Sequence, residues 1–337
     1  MAAGADTAAG EAFEVYLDGL VPAGEPARLT RIGAGASNLT YLVERGGARV
    51  VLRRPPPPPL PPSAHDVVRE ARLQPALAAQ GVRVPRVLAV CEDPTLIGAP
   101  FYLMDALDGA VITHSVPPGT AGRTLGLAVV DALAELHAVD WRAEPLSRFG
   151  RPSGYLERQL KRFSALYKAS EGRRIPGFDA LTEALRRRLP TGGDTALVHG
   201  DYRLGNIMVS TGARPELLAI LDWEMATVGD PLADLGYLTI TWSEPGATEH
   251  PMLLSPATAE HGFPTRAELV QRYVALTGRD VSHLRWYQAL ALWKSAVFCE
   301  AIYGRHLRGE HEEPWAASLC DGVPRLVEVG AACLAQA

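Results

Sequence analysis

The chain has 337 residues, 47% hydrophobic and 21% charged, with a formal net charge of −5. That length supports a large core and more than one lobe, and the acidic balance excludes a general affinity for nucleic acid. Cys91, Cys299, Cys320 and Cys333 form no C-x-x-C pair, which argues against a zinc site or disulfide framework and for reduced thiols in a cytoplasmic protein. The N-terminus lacks the basic start and apolar run of a secretory signal. The most apolar late stretch, Leu284–Tyr303, carries Arg285, Lys294 and Glu300 and is too polar to span a bilayer.

Residues 1–24 form an Ala- and Gly-rich extension. The first ten are expected to be disordered, and the spacing of Phe13, Tyr16, Leu17 and Leu20 predicts a short docking helix. Strands are predicted at Leu29–Ile32, Leu39–Glu44 and Arg49–Arg53, the last two joined by a turn at Gly46-Gly47. The loop Gly33–Asn38 lies between strands and does not open a helix, so it is not a dinucleotide-binding fingerprint. Its Gly33 and Gly35 let backbone amides approach phosphate oxygens, and Ser37 can add a hydroxyl donor; a plain hairpin turn is the competing reading. The run PPPPPLPP at 55–62 reads as an extended, stiff connector, with an SH3-type ligand as the alternative. Ser63 or Asp66 would cap a helix reaching Ala79, with Glu70 in its early part. Val84–Val90 and Pro100–Met104 read as two further strands.

From residue 120 the pattern is helical. Leu125, Val129, Leu133 and Leu136 make a stripe ending near His137, a structural helix-end histidine. Helices at Tyr155–Lys168 and Asp179–Leu189 follow. Between Arg148 and Arg174 stand eight basic residues against two acidic ones, an excess that suits an anionic substrate or a solvated helix face. Asp230-Pro231 opens another helix as cap and first residue. Thr265–Leu276, His283–Tyr303 and Trp315–Ala335 complete the helical set, with a charged loop at Gly309–Pro314.

The chemistry concentrates between Leu197 and Asp234. Ile207–Val209 and Leu217–Leu221 flank the turn-rich Ser210–Pro215, the pattern of a β-hairpin. Asn206 precedes the first strand and Asp222 follows the second, so an antiparallel pairing sets them side by side, with Cα atoms roughly 4.5–5.5 Å apart. An amide oxygen and a carboxylate so placed can share a hard cation such as Mg²⁺. Asp201, five residues before Asn206, is a candidate base or a positioner of a nucleophile.

The spacing Asp201-x4-Asn206 with the strand-terminal Asp222 resembles the catalytic loop and metal-binding Asp of the protein-kinase-like fold. The wording His199-Gly200-Asp201 and Asp222-Trp223-Glu224 is similar to that of the aminoglycoside phosphotransferase (APH) family. ILDWEMATVGDPLADLGYL, VLRRPP and LTGRD resemble the subfamily related to kinase domains fused to acyl-CoA dehydrogenases. The likeness runs over roughly residues 28–325. It implies an α+β, bilobal protein-kinase-like fold: a small β-rich N-lobe over 25–105 and a larger, mostly helical C-lobe over 106–337.

The resemblance implies transfer of the γ-phosphoryl of ATP, or of GTP, to a hydroxyl. Asp201 would be catalytic, and Asn206 and Asp222 would hold Mg²⁺. The loop with Gly33, Gly35, Ser37 and Asn38 would cover the phosphates, Asn38 standing where a protein kinase carries its third glycine. Arg53 replaces the usual third-strand lysine, and alternation favours it over Arg54; Glu70 would order it. The backbone at Met104 and Ala106 would meet the base, Asp234 would strut the catalytic loop, and His199 would pack inside it.

Gly200 stands where many protein kinases carry an arginine that binds a phosphorylated activation loop. Seven residues separate Asp222 from Asp230, which leaves no room for a peptide-docking loop. A small-molecule acceptor follows; the subfamily resemblance implies a hydroxyacyl compound such as a hydroxyacyl-CoA, and the basic 148–174 stretch suits an anionic metabolite, with neither nucleic acid nor membrane as partner and the oligomeric state open. Antibiotic or amino-alcohol phosphorylation, and a nucleotide-binding regulator, are the alternatives.

Overall fold

The structure, a computed structural model, describes residues 10–33, 38–57, 65–116, 118–170, 172–191, 193–210, 215–259, 262–310 and 313–337, with the backbone of Thr7–Ala8. The chain divides into a unit of Met1–Gly109 with Leu218–Glu224 and a unit of Ala110–Leu217 with Met225–Ala337.

The first unit contains β1 (Thr7–Ala8), α1 (Glu11–Leu17), β2 (Arg28–Ile32), β3 (Leu39–Arg45), β4 (Ala48–Arg54), α2 (Val67–Ala78), β5 (Val87–Cys91) and β6 (Phe101–Asp105). Its sheet runs β1-β2-β3-β4-β6-β5, and every neighbouring pair is antiparallel. The β3–β4 turn needs positive φ at Gly46 (+55°) and Gly47 (+78°). A Cβ on Gly46 would also stand 2.7 Å from the Pro22 carbonyl oxygen.

Strand alternation gives β4 two working faces. Val50 and Leu52 join Val43, Phe101 and Leu103 in a core that receives Phe13 and Leu17 of α1. Val51 and Arg53 occupy the alternate positions. Tyr102, in register with Arg53, packs with Val67 and Ala71 of α2. Asp66 caps α2 by accepting the Arg69 amide at 2.9 Å, which decides between the two predicted caps.

Two expectations for the N-terminus are corrected. Thr7 and Ala8 pair with Leu29 and Arg28 as an edge strand, where disorder was expected; satisfying backbone groups along β2 accounts for the pairing. Leu20 falls beyond α1 and is exposed, whereas Phe13 and Leu17 are fully buried. Arg45 clamps the helix through Glu14 at 3.1 Å and Asp18 at 2.5 Å. The helix is part of the first unit's core and not a separate extension.

The second unit contains β7 (Ala110–Val111), α3 (Gly122–His137), α4 (Tyr155–Ala169), α5 (Phe178–Arg187), β8 (Ala196–Val198), β9 (Ile207–Val209), β11 (Thr227–Gly229), α6 (Leu232–Thr241), α7 (Arg266–Thr277), α8 (Leu284–Leu307) and α9 (Leu319–Ala335). The chain crosses to the first unit within β10 (Leu217–Ile220) and returns after Glu224. Both predicted hairpin strands form, and the Ser210 amide donates to Glu216 O at 2.9 Å across the turn. The last predicted helix starts later, at Leu319, because Pro314–Ser318 is a 3-10 turn. Likewise α6 starts at Leu232, with Asp230 Oδ1 accepting the Leu232 amide at 3.0 Å.

α8 packs against α6 and α9, and α3 against α7. The buried indoles of α8 are satisfied by α5: Trp286 donates to Leu185 O at 3.1 Å and Trp293 to Thr182 Oγ1 at 2.7 Å. Among the described residues no helix is long and apolar enough to cross a membrane.

Docking of α1 gives the first prediction. Phe13→Ala removes a fully buried ring that meets Phe101 edge-on at 5.6 Å. The expected cost is about 3–5 kcal/mol, read as a lower urea midpoint by circular dichroism.

Candidate active site

In the first unit Arg53 is the hub. Its Nε donates to Glu70 Oε2 at 3.0 Å, its Nη1 to Thr40 Oγ1 at 3.3 Å, and its Nη2 directly to Asp222 Oδ1. One planar fork therefore joins β4, α2 and the segment after β10, a geometry that a lysine ammonium does not reproduce. Burial opposes the charge on Arg53, but Glu70 and Asp222 outweigh it and raise the guanidinium's pKa. Burial pushes the Glu70 carboxyl up, and Arg53 pulls it back. Glu70 Oε1 also accepts the Trp223 amide at 3.3 Å. Arg54, the other basic residue of the strand end, is spent on the carbonyls of Ile97 (2.7 Å) and Pro55 (3.3 Å).

Asp222 adopts φ +66°, a left-handed conformation uncommon outside glycine and tolerated by Asp. The chain turns there, with Trp223 buried behind it and its indole donating to Ile220 O at 2.9 Å. Asn38 is buried and donates to Glu224 Oε2 at 3.2 Å. Gly33 has φ +78°; Gly35 and Ser37 lie outside the described residues. Met104 sits within the sheet opposite Val51 and Val87, while Ala106 follows the strand, half-buried.

In the second unit β8 pairs with β11 and delivers the loop that starts at His199. Asp234, fully buried, accepts the His199 amide at 2.6 Å and the Gly200 amide at 2.8 Å. His137 Nε2 lies 3.3 Å from the same carboxylate, and its Nδ1 lies 2.7 Å from the Tyr273 hydroxyl. Burial alone would raise the Asp234 carboxyl, but His137, His199 and the amide hold it below its ordinary value. Gly200 is required by φ +86° and by space: a Cβ would stand 2.8 Å from Met225 O. His199 Nδ1 accepts the Asp201 amide at 3.2 Å inside the loop.

Asn206 Nδ2 donates to Asp201 O at 2.8 Å and to Asp201 Oδ2 at 2.7 Å. The amide oxygen of Asn206 and the second carboxylate oxygen of Asp222 make no hydrogen bond to described residues. Each is thus an available hard oxygen donor of the kind Mg²⁺ takes. Among the described residues no three His, Cys, Asp or Glu side chains converge as a metal cluster.

Asp201 opens onto a cavity of about 240 Å³. Tyr237 lies beside Asp201, and burial together with that carboxylate raises its pKa well above the ordinary value. The walls are mainly apolar, with Met225, Met252, Leu290, Phe298 and Trp315 among them, and Lys294 of α8 also lines the space. Sequence reasoning missed Tyr237 and Lys294. The available signal for Lys294 was a cation at the centre of the apolar run Ala289–Val297 of α8.

Much of the basic 148–174 stretch is committed elsewhere. Arg148 pairs with Glu144 (2.8 Å), Arg173 with Glu300 (3.0 Å) and Arg174 with Asp179 (3.2 Å), and Arg158 donates to backbone carbonyls.

Known structures define the class. A crystal structure of a Ralstonia eutropha protein, provisionally assigned as an aminoglycoside phosphotransferase, matches with TM-score 0.77 and 30% identity, covering 97% of this chain and 98% of that one. A thermostable mutant of aminoglycoside phosphotransferase APH(4)-Ia, in ternary complex with AMP-PNP and hygromycin B, shares the fold: TM-score 0.62, 17% identity, 94% of this chain and 99% of that one. The chain therefore has an α+β, bilobal protein-kinase-like fold with a β-rich N-lobe and a mostly helical C-lobe.

The sequence profile of the phosphotransferase enzyme family, APH, matches residues 28–287, and the chain belongs to that family. Acyl-CoA dehydrogenase family member 10 of Mus musculus is 35% identical over 309 residues, which is 89% of this chain and 29% of the mouse protein. The chain thus spans under a third of that relative's length.

Asp234→Asn tests the strut. A carboxamide keeps one acceptor for the two amides and turns N–H groups toward the other, at an expected cost of about 2–4 kcal/mol. Because the Asp234 pKa is held below the ordinary 3.8, its contribution is complete above that value and fades as pH falls through the lowered one. Urea titrations should show a constant gap between wild type and variant near neutrality that narrows under acid. A gap independent of pH would remove the charge from the account.

Proposed function

We propose that the protein is a small-molecule kinase that transfers the γ-phosphoryl of ATP, or of GTP, to a hydroxyl of a metabolite such as a hydroxyacyl-CoA or another anionic acceptor. The observation that carries this reading is Asp201: its loop is clamped by Asp234, its carboxylate is oriented by Asn206, and it faces an apolar cavity sized for a small molecule. In this reading Asp201 orients the acceptor hydroxyl and takes its proton as the O–P bond forms and the β–γ bridge breaks. Arg53, ordered by Glu70, contacts the α/β-phosphates. The loop 33–38 covers them, and the backbone beyond Met104, at Ala106, meets the base. Asn206 and Asp222 would hold Mg²⁺, which supplies charge neutralisation on the phosphates when bound. The rate comes from positioning and electrostatics.

The seven residues between Asp222 and Asp230 leave no room for a long peptide-docking segment, which favours a small-molecule acceptor. Cationic acceptors, such as the aminoglycosides named for structural relatives, fit less well because the cavity is apolar and carries an ammonium, Lys294.

The test is nucleotide-dependent ADP or GDP release with pools of hydroxyacyl-CoAs, amino alcohols, sugars and aminoglycosides in the presence of Mg²⁺. One pool should stimulate release in the wild type and not in Asp201→Asn. The Asp201→Asn variant is expected to lose at least about 100-fold in kcat while binding Mg-nucleotide normally by calorimetry. Asp222→Asn is expected to weaken both nucleotide binding and turnover. Wild-type rates in Asp201→Asn would overturn the mechanism.

A further inference from the structure

The cavity beside Asp201 contains an unspent charge. Lys294, itself half-buried, projects from the middle of α8, whose neighbouring turns are mostly buried. Among the described residues its ammonium makes no hydrogen bond or ion pair; its one partner is the face of Phe163, 4.9 Å from the ring centroid. A desolvated ammonium is costly unless an anion or several acceptors meet it. A ring face contributes only about 0.5–2 kcal/mol. Burial lowers the Lys294 pKa to about 8 against the opposing pull of Asp234 and Asp201. The same cavity presents Asp201 as its polar end and apolar side chains, including Met252, Leu290 and Phe298, as its walls. Its volume of about 240 Å³ equals roughly eight waters at about 30 Å³ each.

We propose that Lys294 determines acceptor specificity: its ammonium binds a carboxylate carried on the apolar body of a small hydroxy compound whose hydroxyl meets Asp201. The role of Asp201 rests on the kinase reading above; the carboxylate-binding role of Lys294 does not require turnover and is tested without it. A cationic acceptor is rejected because its ammonium would be desolvated against a like charge.

The charged and titratable groups around Lys294 make the pH readout specific. Asp201 of the loop and Asp234 of α6 favour the charged form, whereas Arg162 of α4 opposes it. Tyr237 of α6 is raised well above its ordinary value, Tyr155 of α4 is raised by burial, and Cys299 of α8 is pushed up to about 12. Lys294 is therefore the group in this cavity that loses charge as pH rises through about 8.

The experiment is calorimetric binding of three matched alcohols, ω-hydroxyhexanoate, hexanediol and ω-aminohexanol, to the full chain. Wild type is expected to bind hydroxyhexanoate at least about tenfold more tightly than the other two, with affinity falling between about pH 7 and about pH 9. Lys294→Met keeps the apolar stem and should lose that preference and that pH dependence, while Lys294→Arg should retain the preference for the anion. Acylation of Lys294 in the wild type, followed by peptide mass spectrometry, should be slowed by hydroxyhexanoate and not by aminohexanol, a readout that needs no variant to fold. Equal affinity of wild type and Lys294→Met for the carboxylate, tighter binding of aminohexanol, or no carboxylate binding at all would each overturn the proposal. Lys294-dependent binding without phosphoryl transfer to any acceptor would instead sink the kinase reading and leave this one standing.

Discussion

A buried carboxylate that must be neutralised fixes the loop that carries Asp201. Asp234 is fully buried and accepts two consecutive backbone amides, those of His199 and Gly200, with His137 against it. A charge-assisted bond to each amide removes the freedom of the residues just ahead of Asp201. Gly200 permits the backbone φ this demands and the close approach of Met225. The side chain of Asp201 is then oriented by Asn206, with Tyr237 beside it and Arg203 Nε 3.6 Å from its Oδ1. The position of Asp201, the carboxylate proposed as the base, therefore rests on a second, fully buried carboxylate.

The first unit solves a related problem with a guanidinium. Arg53 is buried and stays charged because two carboxylates and a hydroxyl meet its fork. Removing one partner from such a set leaves an uncompensated buried charge, which is far costlier than an exposed pair is valuable. The arginine at a position where protein kinases carry lysine is thus more than a retained positive charge. Its planar geometry holds β4, α2 and Asp222 at once, while Arg54 is anchored to carbonyls elsewhere.

Much of this was legible in the residues. Strand alternation separates Arg53 from the Val50 and Leu52 face, and the chain order of Asp201, Asn206 and Asp222 marks the loop and the strand end. Asp66 and the Gly46-Gly47 turn carry their own local signals. Thr7–Ala8 was illegible because a two-residue strand exists only through its register with β2. The capping box of Thr265 and Glu268 carries a local signal of the same kind as the Asp66 cap. Lys294 and Tyr237 were hidden for a different reason: periodicity assigns both to core helices, and a cavity arises only from how α6 and α8 pack with their neighbours. The basic excess at 148–174 shows the converse, since the charges are visible in sequence and their pairing with Glu144, Asp179 and the sequence-distant Glu300 is not.

The central claim is transfer of a phosphoryl group to a small molecule, and following the phosphorus tests it directly. ATP or GTP labelled at the γ-phosphorus would be incubated with the protein, Mg²⁺ and a small-metabolite extract, and the label traced by mass. The account predicts that the label appears in a low-mass phosphate monoester, and that Asp201→Asn forms none of it. Label recovered only as inorganic phosphate, or attached to protein, would contradict a small-molecule acceptor.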